Sequence, residues 1–205
     1  MERYRSFSFA AVAMAVGFLA LTATPAQAAA SGSTDVDITI PDIVILHYFS
    51  SVQVTVTQAA LGTFLTGTAG DQAIDEGTPT FTGAFDHDLT IGPSALTGGD
   101  PAAAVMILRN AWAVRSISLA TGTNTTLDID ITGTDTLSHA TTAASITISS
   151  ATVNDGTSNL PTITFAAPGL ANPVVGDVEL TLDLTNAINA GDYQGGVYTL
   201  TATNV

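Results

Sequence analysis

A period of two residues in the pattern of apolar and polar side chains is the feature that most restricts the fold of this chain. The pattern is found in three long runs and four short ones, at residues 81–91, 127–131 and 178–185 and at residues 52–56, 146–148, 163–165 and 198–202. Successive side chains of a β-strand point to opposite faces, so this alternation indicates strands with one buried face and one wet face. Such strands are typical of antiparallel sheets.

Turn signals separate the apolar runs. The triplet Asn154-Asp155-Gly156 lies between two of them and predicts a hairpin. About ten short strands separated by such turns predict an all-β protein with an immunoglobulin-like antiparallel β-sandwich. One short helix is expected at residues 101–108, because Asp100 is a good N-cap and Pro101 suits the first helical position. A strand through residues 105–108 is the alternative.

The first 28 residues have the composition of a secretory signal peptide. Arg3 and Arg5 precede a short apolar stretch, and Ala26-Gln27-Ala28 is a small-x-small cleavage site. We therefore expect an exported protein, located at the cell surface, outside the cell or in the periplasm. Residues 29–40 would form an N-terminal extension, and residues 41–205 a single sandwich domain. The chain contains no cysteine, so no disulfide can stabilise that domain.

Charge excludes two classes of partner. The chain has 18 acidic residues against 4 lysines and arginines, a formal net charge of −14. Phosphate backbones and anionic lipid headgroups repel such a surface. We expect no nucleic-acid partner and no membrane insertion after the signal peptide is removed.

Acidic residues on one strand face are weak metal-site candidates. Asp128 and Asp130 share a face, and Asp135 follows in the next turn. Calcium requires six to eight oxygen ligands, so two carboxylates on an extended strand supply only part of a site. A solvated strand face is the preferred interpretation. His87 lies between Asp86 and Asp88, but in a strand it points away from both, which favours a structural histidine.

No catalytic or cofactor site is predicted. The sequence has no G-x-S-x-G motif, no H-E-x-x-H motif and no cysteine nucleophile. Trp112 could form a sugar-binding platform if it were exposed, but its apolar neighbours favour a core position. Arg115 is expected to pair with one of the many carboxylates. We therefore expect a non-enzymatic protein without a cofactor.

The two ends of the chain have complementary patterns. Near the N-terminus Val36, Ile38 and Ile40 alternate with polar residues, and Pro41 then interrupts the pattern. Pro41 lacks the N–H that a central strand requires. At the other end the last predicted strand contains the assembly candidates Val197, Tyr198 and Leu200. No further strand is expected after it, so residues 35–40 could complete the sheet by β-strand addition.

This layout resembles the subunits of chaperone–usher pili. The residues that carry the resemblance are those at 36–40 and at 191–203, where Gly191-Asp192-Tyr193 is similar to the start of strand F of an immunoglobulin-like sandwich. The resemblance implies assembly with other copies of the chain, an assembly chaperone as a further partner, and a pilus-like filament or a role in adhesion. Two features differ from the family pattern: the disulfide is absent, and Asn204-Val205 replaces a tyrosine near the C-terminus.

Two alternatives stay open at this point. Residues 35–40 could pair with the last strand of their own molecule, which would give a self-complemented soluble sandwich. Such a sandwich could act as a carbohydrate- or calcium-binding module, which would require an exposed Trp112 or additional loop oxygens beside Asp128 and Asp130.

Overall fold

The structure of this chain is a computed structural model that describes residues 33–67, 70–77, 80–82, 89, 91–119, 122–133 and 135–205. Its contacts divide the chain into two compact units, Met1–Thr39 and Ile40–Val205. In the first unit, residues 33–39 form neither helix nor strand. The second unit contains all the regular elements described below.

The second unit is almost entirely β-structure. In chain order its elements are β1 (Ile43–Ser51), α1 (Gln58–Leu65), β2 (Gln72–Ala73), β3 (Thr80–Thr82), β4 (Ala95–Thr97), β5 (Ala104–Ile117), β6 (Asn124–Asp130), β7 (Thr136–His139), β8 (Ser145–Asn154), β9 (Asn159–Leu160), β10 (Thr162–Ala166), β11 (Gly169–Asp183), β12 (Tyr193–Gln194) and β13 (Thr199–Asn204). The all-β prediction is confirmed at this level.

The strands form two antiparallel sheets within the described residues. The larger sheet has ten strands, with the main order β12-β7-β8-β11-β5-β1-β3; β4 also pairs with β5, β2 pairs with β4, and β9 pairs with β8. The smaller sheet has three strands in the order β10-β6-β13. Every pairing between these strands is antiparallel, so the inference drawn from alternation holds for both sheets.

The two sheets share one hydrophobic core. Trp112 of β5 is completely buried and stacks on Phe165 of β10, with ring centroids 6.4 Å apart. Leu127 of β6 and Val178 of β11 are also completely buried in the same cluster. The chain neighbours of Leu127 and Val178 are half-buried, as the period of two predicts, whereas Ala111 and Ala113 on either side of Trp112 are completely buried, so β5 is enclosed on both faces at this point. The core position expected for Trp112 is confirmed.

A bulge interrupts the long strand β5. Asn110 has a φ of 52°, and the pairing of β5 with β11 shifts register between Gly176 and Val178. Asp177 of β11 stabilises this bulge, because its carboxylate accepts hydrogen bonds from the Asn110 backbone N–H (2.9 Å) and from Arg109 Nη1 (3.3 Å). Its carbonyl oxygen accepts the indole N–H of Trp112 at 2.9 Å.

The helix predicted at residues 101–108 is wrong. Strand β5 begins at Ala104, as the alternative prediction had it. Asp100 forms a turn instead: its Oδ1 accepts the N–H of Ala102 at 2.9 Å, and its carbonyl oxygen accepts the N–H of Ala103 at 3.0 Å. Asp100 and Pro101 therefore give the local signal of a helix start, but pairing of the following residues with β4 and β11 outweighs it.

The helix that does form, α1, was not predicted. Thr57 is its N-cap, since its hydroxyl accepts the Ala60 N–H at 3.1 Å. Ala60 and Phe64, four residues apart, are its buried face. The alternating run at residues 52–56 precedes α1 and forms only an isolated bridge between Thr55 and Asp75. Within the described ranges, no helix is long and apolar enough to cross a membrane.

The hairpin predicted at Asn154-Asp155-Gly156 is confirmed. It connects β8 to β9, whose register pairs Asn154 with Asn159. Asn154 Oδ1 accepts the Gly156 N–H at 2.8 Å, and Asp155 Oδ1 accepts the N–H groups of Thr157 and Ser158 at 2.8 and 2.7 Å.

Candidate functional site

The outer strand of the smaller sheet, β13, is the best candidate for a functional surface. It pairs with β6 from Thr199, opposite Asp130, to Asn204, opposite Thr125. Among the strands that the structure describes, β13 has no second pairing partner. An edge strand of this kind presents unpaired backbone N–H and C=O groups to which another strand can add.

The core side of β13 is less well covered than that of its neighbours. Leu200 and Ala202 pack against the core but are only half-buried, whereas Leu127 and Ile129 of β6 are 0% and 7% exposed. The opposite edge strand, β10, is better protected, since its Ile163 is 2% exposed. The two edges of the small sheet therefore differ. At β10 the core-facing Ile163 is already buried, whereas at β13 an additional strand would cover apolar surface that is still partly exposed.

The three assembly candidates of the last strand, Val197, Tyr198 and Leu200, lie at or next to this edge. They are called the acceptor residues below, because an added strand would pair here. Tyr198 and Leu200 contact the core, whereas Val197 is 51% exposed. Burial raises the pKa of Tyr198 to about 12. The outward residues Thr199, Thr201 and Thr203 are exposed and uncharged. If a strand with outward-facing aspartates paired with β13, its carboxylates would lie beside these threonine hydroxyls. They would not lie beside a carboxylate of β13, which would repel them.

The apolar residues of the segment expected to add to the sheet, called the donor residues below, are strongly exposed. Val36, Ile38 and Ile40 are 71%, 79% and 52% exposed. Residues 33–42 are not part of any strand. Burial of these three alternating apolar side chains in a sheet would remove their surface from water.

A polar network lies at the C-terminal end of β13. The Asn204 side chain donates from Nδ2 to the carboxylate of Asp42 and to the Ile117 carbonyl oxygen, the latter at 3.1 Å. Its Oδ1 accepts the hydroxyl of Thr125 at 2.9 Å, and the buried hydroxyls of Thr125 and Ser116 are 2.7 Å apart. This network connects β13 to β6, to the end of β5 and to the residue that precedes β1.

Before β13, the chain passes through a corner formed around Tyr193. The Tyr193 hydroxyl donates to the Asn189 carbonyl oxygen at 2.7 Å, and its ring meets His139 edge-on with centroids 5.2 Å apart. His139 Nδ1 accepts the N–H of Thr141 at 3.3 Å, which leaves Nε2 to donate to the Ala190 carbonyl oxygen at 3.1 Å. Gly191 is needed here, because a Cβ at this position would lie 2.6 Å from His139 Nε2.

The weak metal candidates hydrogen-bond to threonines. Asp128 accepts from the Thr162 hydroxyl, and Asp135 Oδ1 accepts from the Thr136 hydroxyl at 3.2 Å. Asp130 Oδ1 accepts the hydroxyl and the backbone N–H of Thr132 at 2.6 and 2.9 Å, and these two bonds lower its pKa. The described part of the chain holds no group of three or more histidine, aspartate or glutamate side chains arranged to bind a metal ion. His87 lies outside the described residues.

A second polar cluster, which the sequence did not reveal, surrounds Arg109. Its guanidinium bridges Asp177 and Asp71, the latter at 2.9 Å. Close by, the carboxylate of Glu76 accepts the backbone N–H of buried Ser94. Burial acts to raise the pKa of Glu76, but hydrogen bonds from the hydroxyl and backbone of Ser94 outweigh it and lower the pKa. These contacts join the β5 bulge to Asp71, which precedes β2, and to Ser94, which precedes β4 and accepts the Arg109 backbone N–H at 3.2 Å.

Arg115 binds a backbone carbonyl oxygen at the start of β11. Its Nη1 donates to the carbonyl oxygen of Leu170. This contact connects the end of β5 to the start of β11, so Arg115 supports the larger sheet.

Comparison with protein-family models, with curated proteins and with solved structures finds no match for this chain.

Proposed function

We propose that this protein is an exported, non-enzymatic structural subunit that assembles with copies of itself by β-strand addition. In this proposal residues 35–40 of one copy are the donor strand, and β13 of the next copy is the acceptor. The observation that carries the proposal is the free edge of β13, whose core-facing side chains are only half-buried. The product is a pilus-like or surface filament, because a head-to-tail contact propagates instead of closing on itself.

The apolar residues of the donor strand have the same spacing as those of the acceptor. Val36, Ile38 and Ile40 recur every two residues, as do the core-facing Leu200 and Ala202. Paired strands keep this period, so the three donor side chains would extend the core beyond β13. Covering half-buried apolar side chains in this way is favourable by roughly 25 cal/mol for each Å² removed from water.

We infer that the two sheets form an immunoglobulin-like sandwich. The hydrogen bond from Tyr193 to the carbonyl oxygen four residues upstream supports this, since a tyrosine corner of the same kind precedes strand F in such domains. In that scheme β13 corresponds to strand F, and the donor takes the place beside it. Export through the predicted signal peptide, and an assembly chaperone that protects β13 before assembly, belong to the same proposal.

A self-complemented carbohydrate- or calcium-binding module has less support. Trp112 is completely buried and its indole N–H is bonded within the sheet, so it offers no surface to a sugar. Asp128 and Asp130 hydrogen-bond to Thr162 and Thr132 respectively. Residues 33–42 form no strand that would complete a sheet.

The test is assembly of the exported protein purified at neutral pH. Unboiled and boiled samples are compared on a denaturing gel, with negative-stain microscopy alongside. We expect a heat-sensitive ladder and thin fibres, and we expect both to disappear in the double variant Val36→Asp, Ile38→Asp. The matched control is the double variant Leu119→Asp, Ile188→Asp, which adds the same two charges at residues that are 77% and 79% exposed outside the donor and acceptor. Fibres formed equally well by the double variant would refute the donor assignment.

A second measurement examines the acceptor directly. A fluorescent peptide with the sequence of residues 33–42 is added to the double variant, whose own donor is inactive. Saturable binding is expected, and the same peptide with aspartate at positions 36 and 38 is its control. Equal binding of both peptides would mean that β13 does not select the alternating apolar pattern.

A further inference from the structure

We propose that successive subunits of the filament are connected by a joint of only two residues, Pro41 and Asp42, and that the filament is therefore stiff. This inference rests on the proposed function, and it concerns how the donor strand is attached to its own folded body. The relevant contacts all lie within the second unit.

The folded body holds Asp42 by its side chain. Its carboxylate accepts a hydrogen bond from Asn204 Nδ2, and Asn204 is itself held by the Ile117 carbonyl oxygen at 3.1 Å and the Thr125 hydroxyl at 2.9 Å. The next residue, Ile43, pairs with Ile117 in the larger sheet. The chain is therefore fixed from Asp42 onward, by a side-chain network and then by a strand ladder.

Pro41 is the only residue between the end of the donor strand at Ile40 and this fixed point at Asp42. Its ring fixes its own φ near −65° and directs the preceding residue, Ile40, toward the extended region. An Ile40 that is already extended can continue a donor strand up to the proline, where the ladder must stop because the N–H is missing. Neither residue of the joint has the conformational freedom of a glycine- or serine-rich linker.

The joint is also short. Two trans peptide units separate the Cα atoms of Ile40 and Asp42 by at most about 7 Å. When Ile40 is part of the acceptor sheet of one subunit, the body of the donor subunit must therefore begin within that distance of the sheet. A flexible linker of six residues would instead have an r.m.s. span of roughly 13 Å and no preferred direction.

The experiment lengthens the joint and measures the shape of the fibres. Gly-Ser-Gly-Ser-Gly-Ser is inserted between Pro41 and Asp42, and the persistence length is determined from negative-stain images. The control carries the same insertion between Ala187 and Ile188, in an exposed loop remote from the joint in sequence. We expect the joint insertion to shorten the persistence length severalfold, toward the length of a single subunit, and the control to leave it unchanged. Pro41→Gly, which keeps the length of the joint, should give an intermediate value.

The outcomes separate this inference from the proposed function. If the joint-insertion variant forms fibres as straight as those of the wild-type protein, the stiff joint is wrong. The formation of those fibres would still support assembly by strand addition. A wild-type protein that forms no fibres at all would refute the proposed function, and the joint would fall with it.

Discussion

The substitution Gly176→Ala is the sharpest test of the packing between the two longest strands. Gly176 of β11 is buried opposite Trp112 of β5. A Cβ at this position would lie 2.2 Å from Trp112 Cζ2 and 2.2 Å from the Asn154 carbonyl oxygen. Neither obstacle can move freely, because the indole is completely buried and bonded to Asp177, and Asn154 belongs to the β8 ladder.

The expected loss of stability follows from these contacts. Adding a methylene to a well-packed core costs about 1–3 kcal/mol, and two immobile contacts place this substitution at the upper end. Replacing a strand glycine by alanine returns about 0.5–1 kcal/mol through backbone entropy. The net effect is a loss of about 2 kcal/mol, which for a chain of this size lowers Tm by roughly 4–8 °C.

Urea unfolding followed by the fluorescence of Trp112, together with calorimetry, measures this loss. The matched control is Gly62→Ala in α1, where no atom lies within 4 Å of the added Cβ. Because alanine is the better helix former, the control should gain roughly 0.5–1 kcal/mol. If Gly176→Ala unfolds at the same urea concentration as the wild-type protein, the close approach of β11 to Trp112 does not exist as described.

Three further predictions concern polar groups. Thr125→Val removes a buried hydroxyl with two polar partners and should cost about 1–3 kcal/mol in urea unfolding, whereas Thr126→Val, at an outward position of β6, should change stability little; equal effects would contradict the network. Because the pKa of Glu76 is lowered on folding, its contribution to the free energy of unfolding is present above the unfolded pKa and is lost as the pH falls through the folded pKa. Glu76→Gln should therefore reduce the loss of stability on acidification. An unchanged acid unfolding profile would argue against the Ser94 contacts. The raised pKa of Tyr198, about 12, means that its contribution is complete below pH 10 and is lost as the pH rises through 12; Tyr198→Phe should remove the latest tyrosine step from an absorbance titration, and a titration without a late step would refute the burial.

Local patterns predicted those parts of the fold that depend on neighbours in sequence. Residues 127–131 and 178–185 alternate because one face of each strand is buried, and this requirement is visible in any strand that covers a core. The hairpin at Asn154-Asp155-Gly156 was equally accessible, since its side chains satisfy their own backbone. The N-cap at Thr57 followed by Ala60 and Phe64 could have indicated α1.

Other features depended on partners that are distant in the chain. The start of β5 has the local signal of a helix, but its pairing with β4 and β11 determined its conformation. The bulge at Asn110 forms because Asp177, 67 residues away, accepts its N–H. The partners of Arg109, Arg115 and Ser94 are also distant in the chain. The sequence contains many carboxylates and carbonyls that could bind these residues, and no local pattern distinguishes among them.

The sequence by itself determined that this protein is all-β, acidic and free of disulfides, and it singled out Val36, Ile38 and Ile40 as an alternating apolar segment. Only the tertiary structure decided that β13 lies at an edge with its core side half covered. The physical reason is that alternation in the sequence reflects which side chains are buried. The pairing of one strand with another is made by backbone N–H and C=O groups, and because every residue except proline carries both, the sequence does not identify the partner strand.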